Sequence, residues 1–337
     1  MAYNWTVIRL DQEFEWIESI KQKRKTGESV IVGVGDDAAI VSGVAGFYDV
    51  IAVDTMVEDI HFSSVTMTPE DIGYKALAVN ISDLAAMGAI PRHYIVSIAI
   101  PKKGWPQEKT RRIYEGLEEA AEKDGMDLIG GDTVSTSDKL VITVTVTGIV
   151  ETSVRLTRDQ AEPGDVIVVT GPLGSSPAGL DLLLGQDDMT AIPETEQEAL
   201  VKAHQRPVPQ VKAGRLFAEM GIRAALNDIS DGIAREAKEI AEASSVRMVL
   251  DWNRIPKPDV LTGFPMSKQQ DWVLYGGEEF QLVAAFSREH WREVCLRAQT
   301  AGVSIFPVGM VEQGDAAVDL ICEGKRETLT RSGYAHF

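Results

Sequence analysis

The sequence predicts a two-domain protein that mixes α+β and α/β architecture, and three observations carry that expectation. At 337 residues and 44% hydrophobic composition, the chain is long enough for two cores of ordinary size. Apolar runs of strand period alternate with runs of helical period in both halves. Between the halves, residues 151–164 turn polar and close on Glu162-Pro163-Gly164-Asp165, a turn signal. The boundary falls there, giving domains 1–150 and 151–337.

Taken in order, residues 13–25 place Phe14, Ile17 and Ile20 at helical spacing before a basic cluster, 21–25, which reads as a solvated helix end. Residues 29–34 read as a strand running into Gly33-Val34-Gly35-Asp36-Asp37-Ala38. A second strand, 49–53, delivers Asp54 to its carboxyl end, with Glu58, Asp59 and His61 in the loop beyond. The stretch 75–89 organises the first half. Tyr74, Leu77, Ile81, Leu84 and Gly88 make one helical stripe while Ala76, Val79, Ala86 and Met87 cover much of the rest, and a helix apolar nearly all round is buried. Asp83 is the only charge between Ala76 and Pro91 and has no Lys or Arg three or four residues away. A buried carboxylate needs a partner, so one must come from elsewhere in the fold: backbone amides, a distant Arg or a metal ion.

A strand at 94–100 and a helix at 107–125, with Ile113, Leu117, Ala120 and Ala121 inward, follow. Leu128-Ile129-Gly130-Gly131-Asp132-Thr133 reads as a buried turn whose glycines let backbone approach a ligand, and 140–150 alternates as a strand. The second half restarts with a strand at 166–170, then Gly171-Pro172-Leu173-Gly174 and a helix through Leu184. Residues 185–198 read as a loose, acidic surface excursion and 211–220 as a helix. Short apolar strands then end in Asp228-Ile229-Ser230-Asp231-Gly232 and again in Gly276-Gly277-Glu278-Glu279-Phe280.

Gly33-x-Gly35-x-x-Ala38 after a strand superficially fits a dinucleotide fingerprint. Only residues 36–48 separate the two strands, too few for a crossover containing a helix. Asp36 and Asp37 would also repel a pyrophosphate unless a metal lay between them.

With 51 acidic against 33 basic residues, a formal charge of -18 argues against nucleic acid or an anionic membrane as partner. Such a protein handles phosphates only with cations. Cys295 and Cys322 form no metal spacing, two thiols in so long a chain suit a reducing compartment, and neither a signal peptide nor a membrane span is legible, so a cytoplasmic location is expected.

Asp36, Asp37, Asp54, Asp83, Asp132, Asp228 and Asp231 each lie in apolar, glycine-punctuated surroundings, while helix Glu and Lys carry most of the solvated charge. Any one alone could serve a turn or an N-cap. Together they read as gathered. Oxygen-only ligands suit hard cations, Mg²⁺ above all, which bridges carboxylates to substrate phosphates; calcium is the rival, but an EF-hand loop is absent. Phosphoryl transfer from a nucleoside triphosphate is then the natural reaction, on a site with neither a Gly-x-x-x-x-Gly-Lys loop nor a His-Arg-Asp motif.

Gly35-Asp36-Asp37-Ala38, Val53-Asp54-Thr55 with His61-Phe62, the 75–89 stretch, Leu128 to Thr133, Asp228 to Gly232, Gly276 to Phe280 and the terminal Gly333-Tyr334-Ala335-His336-Phe337 together resemble the thiamine-monophosphate kinase family. The resemblance runs from about residue 30 to the end. It implies a fold like that of the aminoimidazole ribonucleotide synthetase superfamily (PurM-like), in which the N-terminal sheet domain forms a β-barrel across a homodimer and a C-terminal α/β domain packs alongside. It also implies ATP-dependent phosphorylation of thiamine monophosphate to thiamine diphosphate. By the same resemblance Asp37, Asp54, Asp83, Asp132, Asp228 and Asp231 would bind Mg²⁺. Tyr114, Gly131, Asp132, Arg158 and Ser230 would meet ATP, and His61, Glu278 and Tyr334 the thiamine phosphate. Where some family members carry hydroxyl residues before the Asp54 position, this chain has Ala52 and Val53, so metal contact there would use backbone carbonyls.

No general base is expected, because a phosphate monoester oxygen is already ionised at neutral pH and the barrier is repulsion between two anions approaching in line. The alternatives are a selenophosphate synthetase or hydrogenase-maturation protein, each expected to carry a Cys that this chain lacks at the matching end, and an aminoimidazole ribonucleotide synthetase, a weaker fit to the His61 and Gly276 motifs. A noncatalytic acidic metal-binding module would leave Arg158 and the paired glycines without a role.

Overall fold

The computed structural model describes residues 27–32, 40–154, 156–186, 189, 192–331 and 333. The helix expected at 13–25, the acids Asp36 and Asp37, and Tyr334 lie outside the described residues.

In the first half a short pair, β1 (Val30–Val32) and β2 (Ile40–Val41), precedes β3 (Phe47–Val57), α1 (Pro69–Ala86), β4 (Ile90–Pro101), α2 (Gln107–Asp124), β5 (Asp127–Thr136) and β6 (Val141–Glu151). Four of these strands form a sheet ordered β3-β6-β4-β5, so β3 and β5 are its edges. β4 and β5 run parallel across α2, whereas β6 is antiparallel to both its neighbours. Alternation gives the sheet two unlike faces. Val96, Ile98, Ile142, Val144 and Val146 are fully covered, packing with Leu77, Ile81 and Leu84 of α1. On the other face Ile51, Val53, Ile95 and Val134 stand exposed.

Helix α1 starts at Pro69, six positions before the apolar stretch 75–89, and a cap sets that start. Thr68 accepts from the Asp71 amide, and the Asp71 carboxylate accepts from the Thr68 amide at 3.1 Å, a reciprocal cap that satisfies two otherwise open donors. Thr68→Ala should therefore cost about 1 kcal/mol in a urea titration, with the m-value unchanged. The helix is buried nearly all round, as its composition requires. It crosses α2 at backbone contact: a Cβ on Gly73 would lie 1.8 Å from the Ile113 carbonyl oxygen, and one on Gly116 1.9 Å from that of Glu70.

The second half runs β7 (Val166–Val169), α3 (Ser175–Leu184), α4 (Glu194–Gln205), α5 (Val211–Met220), β8 (Ala224–Asp228), α6 (Ile233–Ser244), β9 (Arg247–Asp251), α7 (Met266–Gln270), β10 (Leu282–Phe286), α8 (Trp291–Ala301), β11 (Phe306–Glu312), β12 (Ala317–Cys322) and β13 (Lys325–Thr328). Its sheet is seven-stranded, ordered β13-β12-β9-β11-β7-β10-β8, antiparallel except for β12 beside β9. One face packs on α6 through Ile233, Ala237 and Ile240. The other packs on α5 and α8 and takes in Ala85 and Ala86 from the end of α1, so the central helix contributes to both cores. Arg206 adds a polar tie, with Nε 2.6 Å from Asp71 and Nη1 2.7 Å from Glu119.

Three expectations need correction. Residues 128–133 are a stretch of β5, with a bulge where Ile129 is skipped in the pairing to β4, and not a turn. The 185–198 segment is no loose excursion: Met189 and Ile192 join Ala178, Leu200, Leu261 and Trp272 in a small core, and α4 starts at Glu194. Scattered charge masked those few apolar anchors. Finally, no strand leads into Gly276; Asp271–Tyr275 is a π-helical turn.

Candidate functional site

Helix α1 and strand β8 meet at a point where carboxylates face one another. Ser82 Oγ donates to Asp228 Oδ2 at 2.8 Å, fixing the buried Asp228 at the end of β8 beside the next residue of α1, Asp83. Burial, then the charges of Asp228 and Asp54, push the Asp83 carboxyl up to about 8, with Arg158 opposing. Asp228 is pushed up to about 6, chiefly by burial. Asp54 is raised for the same first reason, and it feels His61 and Asp231 as well. The structure thus brings together Asp54, Asp83, Asp228, Asp231, His61 and Arg158 from both halves. Asp83 is only half-buried, not sealed in the core as its helix position suggested, because its side of α1 opens with Met87 toward the cleft.

Carboxylates that hold on to protons against one another are relieved by a cation, and an all-oxygen donor set suits a hard one. The residues present therefore fit Mg²⁺ in charge and donor type. Among the described residues no three His, Cys, Asp or Glu side chains close on a single point in metal-holding geometry.

The two glycine-acid loops interlock by backbone. Ile229 N donates to Gln281 O at 2.7 Å, Phe280 N to Ile229 O at 2.9 Å and Glu278 N to Ser230 O at 2.6 Å. Behind them the buried Glu236 accepts from Asn227 Nδ2 at 2.8 Å, Asp231 N at 2.9 Å and Ser230 Oγ at 3.3 Å. Burial, then Glu239, raise its carboxyl to about 8. Asp231 also lies 3.3 Å from Arg235 Nη1, and Arg158 Nη1 lies 3.4 Å from Glu239.

Glu278 departs most from expectation. Its backbone sits at φ +65°, in the left-handed region where a non-glycine residue is strained. Its Oε2 is 2.8 Å from Nζ of Lys75, which is wholly buried on α1, and 3.4 Å from His204 Nδ1. Burial works to raise the Glu278 carboxyl, and the Lys75 ammonium overcomes it to hold the group low. His61 accepts from the Val57 amide through Nδ1 at 3.1 Å.

Asp132 is not gathered with the others within the chain. Asp54 pairs with Val144, Val144 with Val96, and Val96 with Gly131, so the row through Asp54 crosses the whole sheet and Asp132 belongs to the next row, on the other face. Asp132 and Gly131 are exposed. Gly131 is glycine for a local reason, since a Cβ there would lie 2.3 Å from the Val96 carbonyl oxygen, whereas Gly130 faces open space. Tyr114 is buried on α2, its phenol bonded to Thr133 and pushed up to about 12 by burial.

The AIR synthase related protein N-terminal domain matches residues 35–150 and the corresponding C-terminal domain residues 162–320. A thiamine-monophosphate kinase of Bacillus subtilis (strain 168) is 45% identical over 327 residues, 96% of this chain and 99% of that one. The chain belongs to the thiamine-monophosphate kinase family. A crystal structure of a thiamine-monophosphate kinase from Stenotrophomonas maltophilia K279a superposes with a TM-score of 0.80 at 29% identity, covering 92% of this chain and 95% of that one. A structure described as AaThiL complexed with AMPPCP and TMP superposes at 0.74 with 28% identity over 98% and 100% of the two chains. The two-domain fold expected from the sequence is that of the thiamine-monophosphate kinase family.

Sequence reasoning passed over Lys75, His204, Ser82 and Glu236. The signal for Lys75 was present: a lysine opening an otherwise apolar helix demands a partner by the argument applied to Asp83. His204 and Glu236 sit on ordinary amphipathic helices, where no local pattern marks them.

Proposed function

We infer that this site transfers the terminal phosphoryl group of ATP directly to the phosphate of thiamine monophosphate, giving thiamine diphosphate. The observation that carries the reading is the convergence of Asp54, Asp83 and Asp228, with raised proton affinity, beside Arg158, with His61 acting on both Asp54 and the nearby Glu278. One end suits cation-bound triphosphate and the other an organic acceptor. That the AaThiL structure is complexed with AMPPCP and TMP supports a fold that takes two ligands.

In this reading Asp54, Asp83, Asp228 and Asp231, with Asp37, would hold Mg²⁺, which when bound neutralises and orients the phosphates. Arg158 adds a cation from the second half. Ser230, Tyr114, Gly131 and Asp132 serve ATP, while His61, Glu278 and Tyr334 meet the acceptor. None of these side chains is asked to remove a proton, because the attacking phosphate oxygen carries none at neutral pH. Their work is positioning and charge neutralisation, which suffice for an in-line transfer with no covalent enzyme intermediate. The test is mass-spectrometric detection of thiamine diphosphate after incubation with Mg-ATP and thiamine monophosphate; ATP consumption that ignores the acceptor would overturn the reading.

The working unit is a homodimer joined through the first half. The exposed Ile51, Val53, Ile95 and Val134 form an apolar sheet face that a second copy would cover. Pairing edge to edge would also set β5 of one copy beside β3 of the other, which would bring Asp132 close to the strand that carries Asp54. Light scattering at micromolar concentration should give twice the chain mass of 36.7 kDa. A monomer would sink the assembly. A cytoplasmic location belongs to the same reading, which two free thiols in so long a chain support.

A further inference from the structure

Lys75 is a wholly buried charge that phosphoryl transfer does not use. It lies on α1, one side chain away from the loop carrying Glu278, and its ammonium contacts Glu278 Oε2 at 2.8 Å. Among the described residues no hydrogen-bond acceptor engages it further. His204 Nδ1 lies 3.4 Å from the same Glu278 Oε2 and is itself 3.2 Å from Ser176 Oγ. Burial, then the neighbouring Lys75, push His204 down to about 4, so its imidazole is neutral and Lys75 is the cation that balances Glu278. The Glu278 side chain keeps 29% of its surface open, whereas Lys75 has 0%. The pair therefore presents a partly open carboxylate, engaged through Oε2, with its counter-ion sealed behind it.

We propose that Lys75 is a positioning residue that sets how Glu278 meets the acceptor: it pins the carboxylate and cancels its charge, so that Glu278 acts as a hydrogen-bond acceptor and not as the counter-ion of a cationic ring. This rests on the assignment of Glu278 to the thiamine monophosphate recess. A cation placed beyond Glu278 sees an ion pair, whose field falls away faster than that of a lone carboxylate. Recognition at this point then comes from hydrogen-bond geometry, and the strained backbone of Glu278 is held by the same contact.

The experiment compares thiamine monophosphate with an analogue in which the thiazolium is replaced by an uncharged thiophene. Both are titrated into wild type and Lys75→Met with Mg-AMPPCP present. Wild type should bind the two acceptors within about threefold of each other, since the paired carboxylate is nearly blind to ring charge. Lys75→Met frees the charge of Glu278 and should prefer the cationic ring by about tenfold or more, with the KM for ATP unchanged within about twofold and the KM for the acceptor raised. A lost packing contact alone would weaken both acceptors equally and leave their ratio untouched. A wild-type preference of about tenfold for the cation, or an unchanged ratio in Lys75→Met, overturns the proposal. Should the variant fail to fold, the wild-type ratio decides alone. Absence of thiamine diphosphate formation by wild type would instead overturn the functional reading, so the two failures are separable.

Discussion

Asp83→Asn is expected to reduce kcat/KM by about a hundredfold to a thousandfold or more while leaving the fold intact, because Asn keeps the volume and loses the charge that would hold Mg²⁺ at the centre of the cluster. The structure adds a signature that separates this from simple damage. In the metal-free protein the Asp83 carboxyl titrates near 8, against 3.8 for an ordinary one, through burial and the charges of Asp228 and Asp54. Between those limits the folded state holds the proton more tightly than the unfolded state. Its stabilising effect is complete at low pH and is lost as pH rises through the folded value. Metal-free wild type should therefore melt at a lower temperature at pH 8 than at pH 6, and Mg²⁺ should restore the loss. Asp83→Asn has no such proton, so its melting temperature should fall less steeply with pH and respond less to Mg²⁺. Calorimetry at two pH values with and without Mg²⁺ measures this. Near-normal turnover by the folded variant would remove Asp83 from the metal site.

The parts of the fold legible in the sequence are those that local physics writes locally. Helix α1 was readable because burial on all sides leaves no polar face. The helix at Val211–Met220 was readable from its single apolar stripe. The 128–133 segment misled because paired glycines usually mark a turn, whereas Gly131 is demanded by the carbonyl of Val96 across a parallel strand pair, a contact between residues far apart in sequence. The acids were legible as a set, since charge in apolar, glycine-rich surroundings has few other uses. Their grouping was not. Only pairing register shows that Asp132 lies on the far face from Asp54, and only the tertiary fold shows that the partner of Glu278 is Lys75. Sequence spacing reports which residues are unusual; register and crossing geometry decide which of them meet.

That partner changes what Glu278→Gln should do. Without the structure, loss of the carboxylate would be expected to weaken acceptor binding and little else. With Lys75 at 0% exposure and 2.8 Å away, the substitution also strands an ammonium that cannot reach water. Removing one member of a buried pair costs about 3–5 kcal/mol, because the remaining charge is uncompensated. Glu278→Gln should thus melt several degrees below wild type. The reverse truncation, Lys75→Met, should be milder, since Glu278 retains 29% exposure and can be solvated. Burial already lowers the Lys75 proton affinity, and loss of Glu278 removes the group that raised it. A lysine with a depressed folded pKa destabilises the fold while it remains charged, so the deficit of Glu278→Gln should shrink as pH is raised through that value, opposite in sign to the trend from Asp83. Thiamine monophosphate affinity should fall by about tenfold or more, the scale of a lost charge-assisted hydrogen bond, while Mg-ATP affinity stays within about twofold. Thermal melts from pH 7 to pH 10, with separate titrations of the two ligands, test each part. A melting temperature equal to that of wild type at neutral pH would mean that Lys75 is not held by Glu278, and a loss of nucleotide binding equal to that of Asp83→Asn would move the Gly276 to Phe280 loop from the acceptor side to the metal side.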